Sequence, residues 1–263
     1  MSKKVNTYKV PESLSQEKRL KQTLKLLKLE GMLSALEEIN SRMRTSNATY
    51  YDFLESLLEK DMLTKEANRI QRWLQKAHFP LDKTLKDFNF AFQPSIHEQQ
   101  IKEFASCRFI EKGENIAFFG QTGVGKTHLA AALGRRAVEA GFDVRFLTLR
   151  AMQDMVEASI NGGKDIHVLL TELSRPRLLI LDEMDLYDPT PNLSIVLSKL
   201  LSDRHEKGSV IFTANQNFGA WSKFFGTSIR AETILDRIIG NSTIVEINGP
   251  SYRNKDKLEP ELI

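Results

Sequence analysis

The stretch Ile116-Ala-Phe-Phe-Gly-Gln-Thr-Gly-Val-Gly-Lys-Thr127 limits what this chain can fold into more than any other. An apolar run, Ile116–Phe119, stops at Gly120. Glycines follow at 123 and 125, then Lys126 and Thr127, and an alanine- and leucine-rich helical pattern begins. Strand, glycine-rich loop and helix in that order make a turn whose backbone N–H groups converge on one anion. The helix start adds unpaired N–H donors and the positive end of its dipole. The pattern is G-x-x-x-x-G-K-[ST], which binds nucleotide phosphates. Gly120, Gln121, Thr122, Gly123, Val124, Gly125, Lys126, Thr127 and His128 are therefore the nucleotide-binding candidates. Lys126 reaches the β- and γ-phosphates of ATP, and the Thr127 hydroxyl ligates Mg²⁺.

Downstream, strand and helix patterns alternate, as in a parallel sheet with helices on both faces. The strands expected after Ile116–Phe119 are Val144–Leu149, Leu178–Leu181, Ser209–Thr213 and Thr243–Ile247. Helices are expected at Thr127–Ala140, Ala151–Ile160, Ser194–Leu201 and Ala231–Ile239. Val168–Leu173 is short and apolar, and the loop 216–229, with Phe218, Trp221, Phe224 and Phe225, is expected to pack over the sheet edge.

Leu178-Leu-Ile-Leu-Asp-Glu183 reads as a buried strand ending in two acids, about 55 residues after the phosphate loop. Ligands of open α/β sheets bind at that end of the strands. Asp182 is placed to hold Mg²⁺ through water, and Glu183 to polarise an attacking water. Asp185 reads as a local cap or ion-pair partner. Asn215, at the tip of the next strand, is placed to orient that water, with Asn217 as its competitor. Five scattered histidines and one cysteine offer no metal-ligand spacing.

The first 93 residues have a different character. Residues 1–90 carry 17 Lys/Arg against 12 Asp/Glu, whereas the remainder carries 20 against 22. A basic front end on a nucleotide-binding engine fits contact with a polyanion, and equally ordinary solubility. A basic arm is expected at 1–13 and helical pattern from Leu14 to Ile39, with Leu20, Leu24 and Leu27 on one face and Gly31 as a kink or break. A second helix is expected over Tyr50–Glu59, burying Phe53, Leu54, Leu57 and Leu58, and a third from Thr64 as N-cap. Lys18, Lys21, Lys25 and Arg72 are DNA-contact candidates; the same faces also suit partner docking or solvation. The expected organisation is a helical domain at 14–78, an extended linker at 79–93 whose phenylalanines pack on the next domain, a nucleotide domain at 94–256 and a tail at 257–263. The absence of a leader or long apolar run points to the cytoplasm and away from a membrane.

Taken together, Gly120–Thr127, Asp182-Glu183, Thr213–Asn215, Asp236-Arg237 and Ser251-Tyr252-Arg253 resemble the AAA+ ATPases of the initiator and helicase-loader clade. Within that clade the linker Phe79-Pro80-x-x-Lys83-Thr84-Leu85-x-x-Phe88-x-Phe90 and the Ser-Tyr-Arg ending are similar to the IstB helper ATPases of IS21-family transposons. The resemblance implies a three-layer α/β/α P-loop core with a parallel sheet, behind a small all-helical domain. It implies an ATP-dependent ring or filament on duplex DNA that selects or remodels the target and stimulates an IS21-type transposase. It assigns Asn215 as sensor 1, Arg237 as an arginine finger acting on a neighbouring subunit, and Arg253 as sensor 2. Most AAA+ proteins carry a C-terminal helical lid, for which this chain leaves no room after Arg253. A replicative helicase loader shares the same engine and is the alternative; a P-loop small-molecule kinase is a remoter one.

Overall fold

A computed structural model describes residues 13–80, 82–185, 188–221 and 229–254. The expected arm (apart from Ser13), the tail, and Phe224 and Phe225 lie outside them. The chain forms two compact units, divided between Arg72 and Trp73.

In the first unit, α1 (Gln16–Leu26) and α2 (Glu30–Arg44) precede α3, which starts at Tyr50 and runs to Ala77. The break falls at Leu27–Leu29, where Lys28 takes a left-handed φ of 55°, and not at Gly31. Gly31 lies in the first turn of α2 because two backbones meet there: a Cβ would stand 2.4 Å from the Asp61 Cα. Asp61, buried in α3, accepts from the Gly31 N–H at 3.0 Å and so caps α2 from a distance. Burial pushes the Asp61 carboxyl up, but Lys65 and the amides of Met32 and Gly31 outweigh it and hold the pKa below the ordinary value.

The two helices expected over 50–76 are one. No glycine or proline interrupts residues 50–77, and Thr64, expected as an N-cap, donates its hydroxyl to the Lys60 carbonyl inside the helix. The boundary between units falls within this helix, before the expected one at 78. The core gathers Leu24, Met32, Ala35, Leu36, Ile39 and Leu57, with Phe53 at its margin. Leu54 and Leu58, expected inside, are 49% and 47% exposed, and Leu20 and Leu27, read on one face with Leu24, are 45% and 53% exposed. Three helices cover only one stripe of each other, so the broad apolar faces read from sequence are half used.

Gly31→Ala should lower the protection of α2 amides against hydrogen exchange by about 1–3 kcal/mol, the usual cost of overpacking. Unchanged protection would show that the two backbones separate freely.

In the second unit, α4 (Glu98–Ala105) and α5 (Arg108–Lys112) lead into β1 (Asn115–Gly120), α6 (Lys126–Glu139), β2 (Val144–Thr148), α7 (Leu149–Asn161) and α8 (Ile166–Ser174). Then come β3 (Leu178–Asp182), α9 (Pro191–Arg204), β4 (Ser209–Ala214), α10 (Ile229–Gly240) and β5 (Ser242–Ile247). The apolar segment 168–173 is thus the body of α8, started by the Asp165 side chain on the His167 N–H. All five strands are parallel, in the order β2-β3-β4-β1-β5. The core of buried β3, β4, α7, α8 and α9 side chains extends to Phe218 and Trp221, which stack edge-on at 4.7 Å and bear on Phe119. The described part of the 216–229 loop thus packs on β1 and β4, in the middle of the sheet, and not over its edge as expected.

The linker is less extended than expected. Leu85–Asp87 forms a 3₁₀ turn, with Asp87 accepting from both the amide and the hydroxyl of Thr84. Phe88 and Phe92 pack edge-on against His128 and Tyr252, as the expectation that the aromatics meet the next domain requires. Among the described residues, no helix is long and apolar enough to cross a membrane.

Candidate nucleotide site

The strand order sets the site. Because β4 lies between β1 and β3, its C-terminal tip stands between the phosphate loop and the acid pair. A cavity of about 630 Å³ opens there. Its lining includes Thr122–His128, Glu183, Asp185, Asn215, Phe88 and Arg253. That volume is in the range of ordinary small-molecule sites.

The loop has the shape the sequence calls for. Gly123 and Gly125 take φ of 88° and 104°, where side chains are strained, and both are closely covered. A Cβ on Gly123 would stand 2.0 Å from the Ser251 Oγ, and one on Gly125 would stand 2.6 Å from the Phe88 ring. The Tyr252 N–H donates to the Gly123 carbonyl at 2.9 Å. The Ser-Tyr-Arg segment therefore sits directly on the loop, which brings Arg253 to the cavity although only a 3₁₀ turn, Tyr252–Asn254, follows β5 among the described residues.

Lys126 opens α6 and is nearly buried. Its Nζ donates to the carbonyls of Gly120 and Gln121 at 2.7 and 2.8 Å and to the Asn215 Oδ1 at 2.9 Å. Burial pulls its pKa down, against the charges of Asp185 and Asp182. The Thr127 hydroxyl lies 2.9 and 3.1 Å from the two Asp182 oxygens. Burial pushes the Asp182 carboxyl up, and hydrogen bonds from Thr213 and Thr127 oppose the shift. The Glu183 carboxyl is also raised, by burial first and then by the neighbouring Asp182 charge.

Two positions carry more than sequence reading drew from them. The Thr213 hydroxyl, buried in β4, donates to Asp182 Oδ1 and accepts from the Glu183 N–H at 3.0 Å. Glu183 itself has a left-handed φ of 58°, a conformation costing about 1–2 kcal/mol for a non-glycine residue, held here by that bond. Asp185, read as a local cap, does cap, but at the β4 tip, where its Oδ2 accepts from the amides of Asn215 and Gln216 at 2.7 and 2.6 Å. A hydroxyl at the end of the strand beside an acid pair was the available signal for Thr213. Nothing local marked Asp185.

His128 lines the cavity, but its ring nitrogen is bonded to the Thr84 carbonyl at 2.9 Å, so the side chain braces the linker. Asn217 lines a second hollow, which Asn215 also borders, with Glu246 and Asn248, and its Oδ1 accepts from the Gly219 N–H at 3.1 Å, whereas the Asn215 side chain meets Lys126. Arg237 lines a different, water-sized cavity of about 20 Å³ at the opposite ends of the strands, with Asn115, Val210 and His205. Arg204 beside it is buried and donates to four backbone carbonyls, those of Leu173, Ser174, Arg177 and Ser209. Of the basic candidates in the helical unit, Lys21 is bound to Glu17 and Glu37, while Lys18, Lys25 and Arg72 are exposed.

A family described as IstB-like ATP binding protein matches residues 22–260. An ATP-binding protein of insertion sequence IS5376 from Geobacillus stearothermophilus is 35% identical over 85% of this chain and 88% of its own length. One of insertion sequence IS21 from Pseudomonas aeruginosa is 36% identical over 89% of this chain and 88% of its own. Among solved structures, AMPPCP-bound DnaA from Aquifex aeolicus superposes with a TM-score of 0.53 at 22% identity, over 70% of this chain and 56% of that one. That likeness concerns the fold.

Proposed function

We propose that this chain, which belongs to the family of IstB-like ATP-binding proteins, hydrolyses ATP while assembled on duplex DNA and helps an IS21-type transposase choose or deform its target. The observation that carries the reading is the convergence of Lys126, Thr127, Asp182, Glu183 and Asn215 at one mouth of the sheet. The relatives' description as insertion-sequence ATP-binding proteins supplies the biological setting.

The residues present fit a phosphate ligand and a small divalent cation. Two left-handed glycines shape the loop, a buried ammonium lies against it, and a hydroxyl meets a carboxylate beside it. Thr127 and Asp182 would hold Mg²⁺, which neutralises charge on the β- and γ-phosphate oxygens when bound. In this reading the loop amides and Lys126 bind the triphosphate. The Glu183 carboxylate draws a proton from the attacking water, and the Asn215 amide fixes that water's direction. Arg253 contacts the γ-phosphate within the same chain. Lys18, Lys25 and Arg72 would meet DNA phosphates.

Arg237 lies at the far ends of the strands, away from its own phosphate loop, so the proposed role is on a neighbouring copy, where it supplies transition-state charge. Arg237→Ala should bind ATP normally and hydrolyse it at least about 10³-fold more slowly. Mixing it with Glu183→Gln protein should restore turnover, because some sites then pair an intact acid with an intact arginine. A mixture as slow as both parents overturns the shared-site reading.

The function is tested by electron-microscope imaging with Mg²⁺-ATP, with and without duplex DNA, alongside turnover in the same samples. Ordered assemblies on duplex with faster turnover are expected. A protein indifferent to duplex that binds a hexameric replicative helicase would be a helicase loader. Turnover that requires a small-molecule acceptor would make it a kinase.

A further inference from the structure

Beyond the last β3–β4 ladder pair, Leu181 and Phe212, the two strand tips remain joined. The left-handed turn at Glu183 sends the chain back, so that the Met184 N–H donates to the Thr213 carbonyl at 3.0 Å. One residue later the Asp185 carboxylate reaches the amides of Asn215 and Gln216. These two N–H groups lie past the end of β4. Asp185 Oδ1 is buried with no hydrogen-bond partner among the described residues. A carboxylate with one oxygen bonded to two amides and the other buried is costly to keep unless its placement matters.

Asn215 is the group so held. Its side chain meets Lys126 at 2.9 Å, and its backbone is fixed by Asp185. We propose that Asp185 is a positioning residue for ATP hydrolysis: by clamping the Asn215 and Gln216 amides it makes the acid-bearing turn after β3 and the Asn215 side chain move as one body. Asp185 takes no part in the chemistry; it sets the angle at which the Asn215 amide faces the γ-phosphate and its water. Small misplacements of such a group slow turnover without weakening substrate binding. The inference rests on the hydrolytic reading of Asn215 above.

The test is a double-mutant cycle on the full chain, reading kcat and KM for Mg²⁺-ATP and the affinity for a fluorescent ATP analogue. Asp185→Ala should lower kcat by about tenfold or more while KM and analogue affinity stay within about twofold. Asp185→Asn should recover most of kcat, since its amide oxygen still accepts from both N–H groups. In an Asn215→Ala background, Asp185→Ala should cost less than about twofold, because the residue it positions is gone. Independent losses that multiply, or an Asp185→Ala defect confined to KM, would overturn the positioning role. An Asn215→Ala protein with unchanged kcat would instead overturn the reading of Asn215 itself. Should Asp185→Ala fail to fold, Asp185→Glu carries the same cycle: the charge remains, the carboxylate shifts by a methylene, and the kcat loss should again vanish without Asn215.

Discussion

Lys126→Ala protein is expected to lose ATP binding, with the dissociation constant rising by roughly 10²–10³-fold, as equilibrium titration with a fluorescent analogue would show. The size follows from the position. Lys126 is the first residue of α6, preceded by a left-handed glycine and nearly buried, with its ammonium against the loop it closes. Truncating one partner of a desolvated charge pair costs about 2–5 kcal/mol, much of it from the partner charge left unmatched. Here the unmatched partner would be the triphosphate held in the cavity that the loop and Lys126 line. Lys126 also donates to the Gly120 and Gln121 carbonyls, so its removal loosens the loop. Hydrogen exchange should therefore rise at residues 120–125 and stay unchanged in α2, which belongs to the other unit. Retained affinity in the variant would show that the loop is not the phosphate site.

Glu183→Gln should separate binding from hydrolysis. Turnover should fall by roughly 10²–10⁴-fold, the usual contribution of a positioned general base, while affinity for ATP changes little. The backbone around the position should not change, because the left-handed turn is held by the Glu183 N–H on Thr213 and not by the carboxylate. Glutamine preserves the side chain's length and removes only its capacity to take a proton. A protein that binds ATP but does not consume it should persist on duplex DNA, visible as assemblies that outlast those of the unsubstituted chain. Unchanged turnover would move the base to another residue. Asp182→Asn would not substitute for this experiment, since Asp182 is bonded to both Thr127 and Thr213 and its loss disturbs the whole strand end.

The parts of this protein legible in the sequence are those set by neighbours along the chain. Phe119, Gly123, Lys126 and Thr127 declare a strand, a loop and a helix because each imposes its conformation within a few residues. The run Leu178–Leu181 ending in Asp182 and Glu183 likewise announces a fully buried strand with acids at its tip. Helix ends and faces in the first unit were less legible. Whether Leu54 and Leu58 are covered depends on how much of α3 meets another helix, and whether Gly31 breaks a helix depends on Asp61, thirty residues away.

What the sequence by itself determined is therefore the strand–glycine loop–helix at 116–139, the buried strand that ends in Asp182 and Glu183, the alternating α/β order and the helical front unit, since local pattern and backbone preference suffice for each. Only the tertiary structure decided that β4 enters between β1 and β3, bringing Asn215 to Lys126. It alone placed Ser251 and Tyr252 on the loop glycines, gave Thr213 both acids to hold, and carried Asp185 to amides thirty residues further on. The physical reason is common to all four. Hydrogen-bonding groups left over at the ends of parallel strands must find partners, and which partners they find is fixed by the strand order in space and not by distance along the chain.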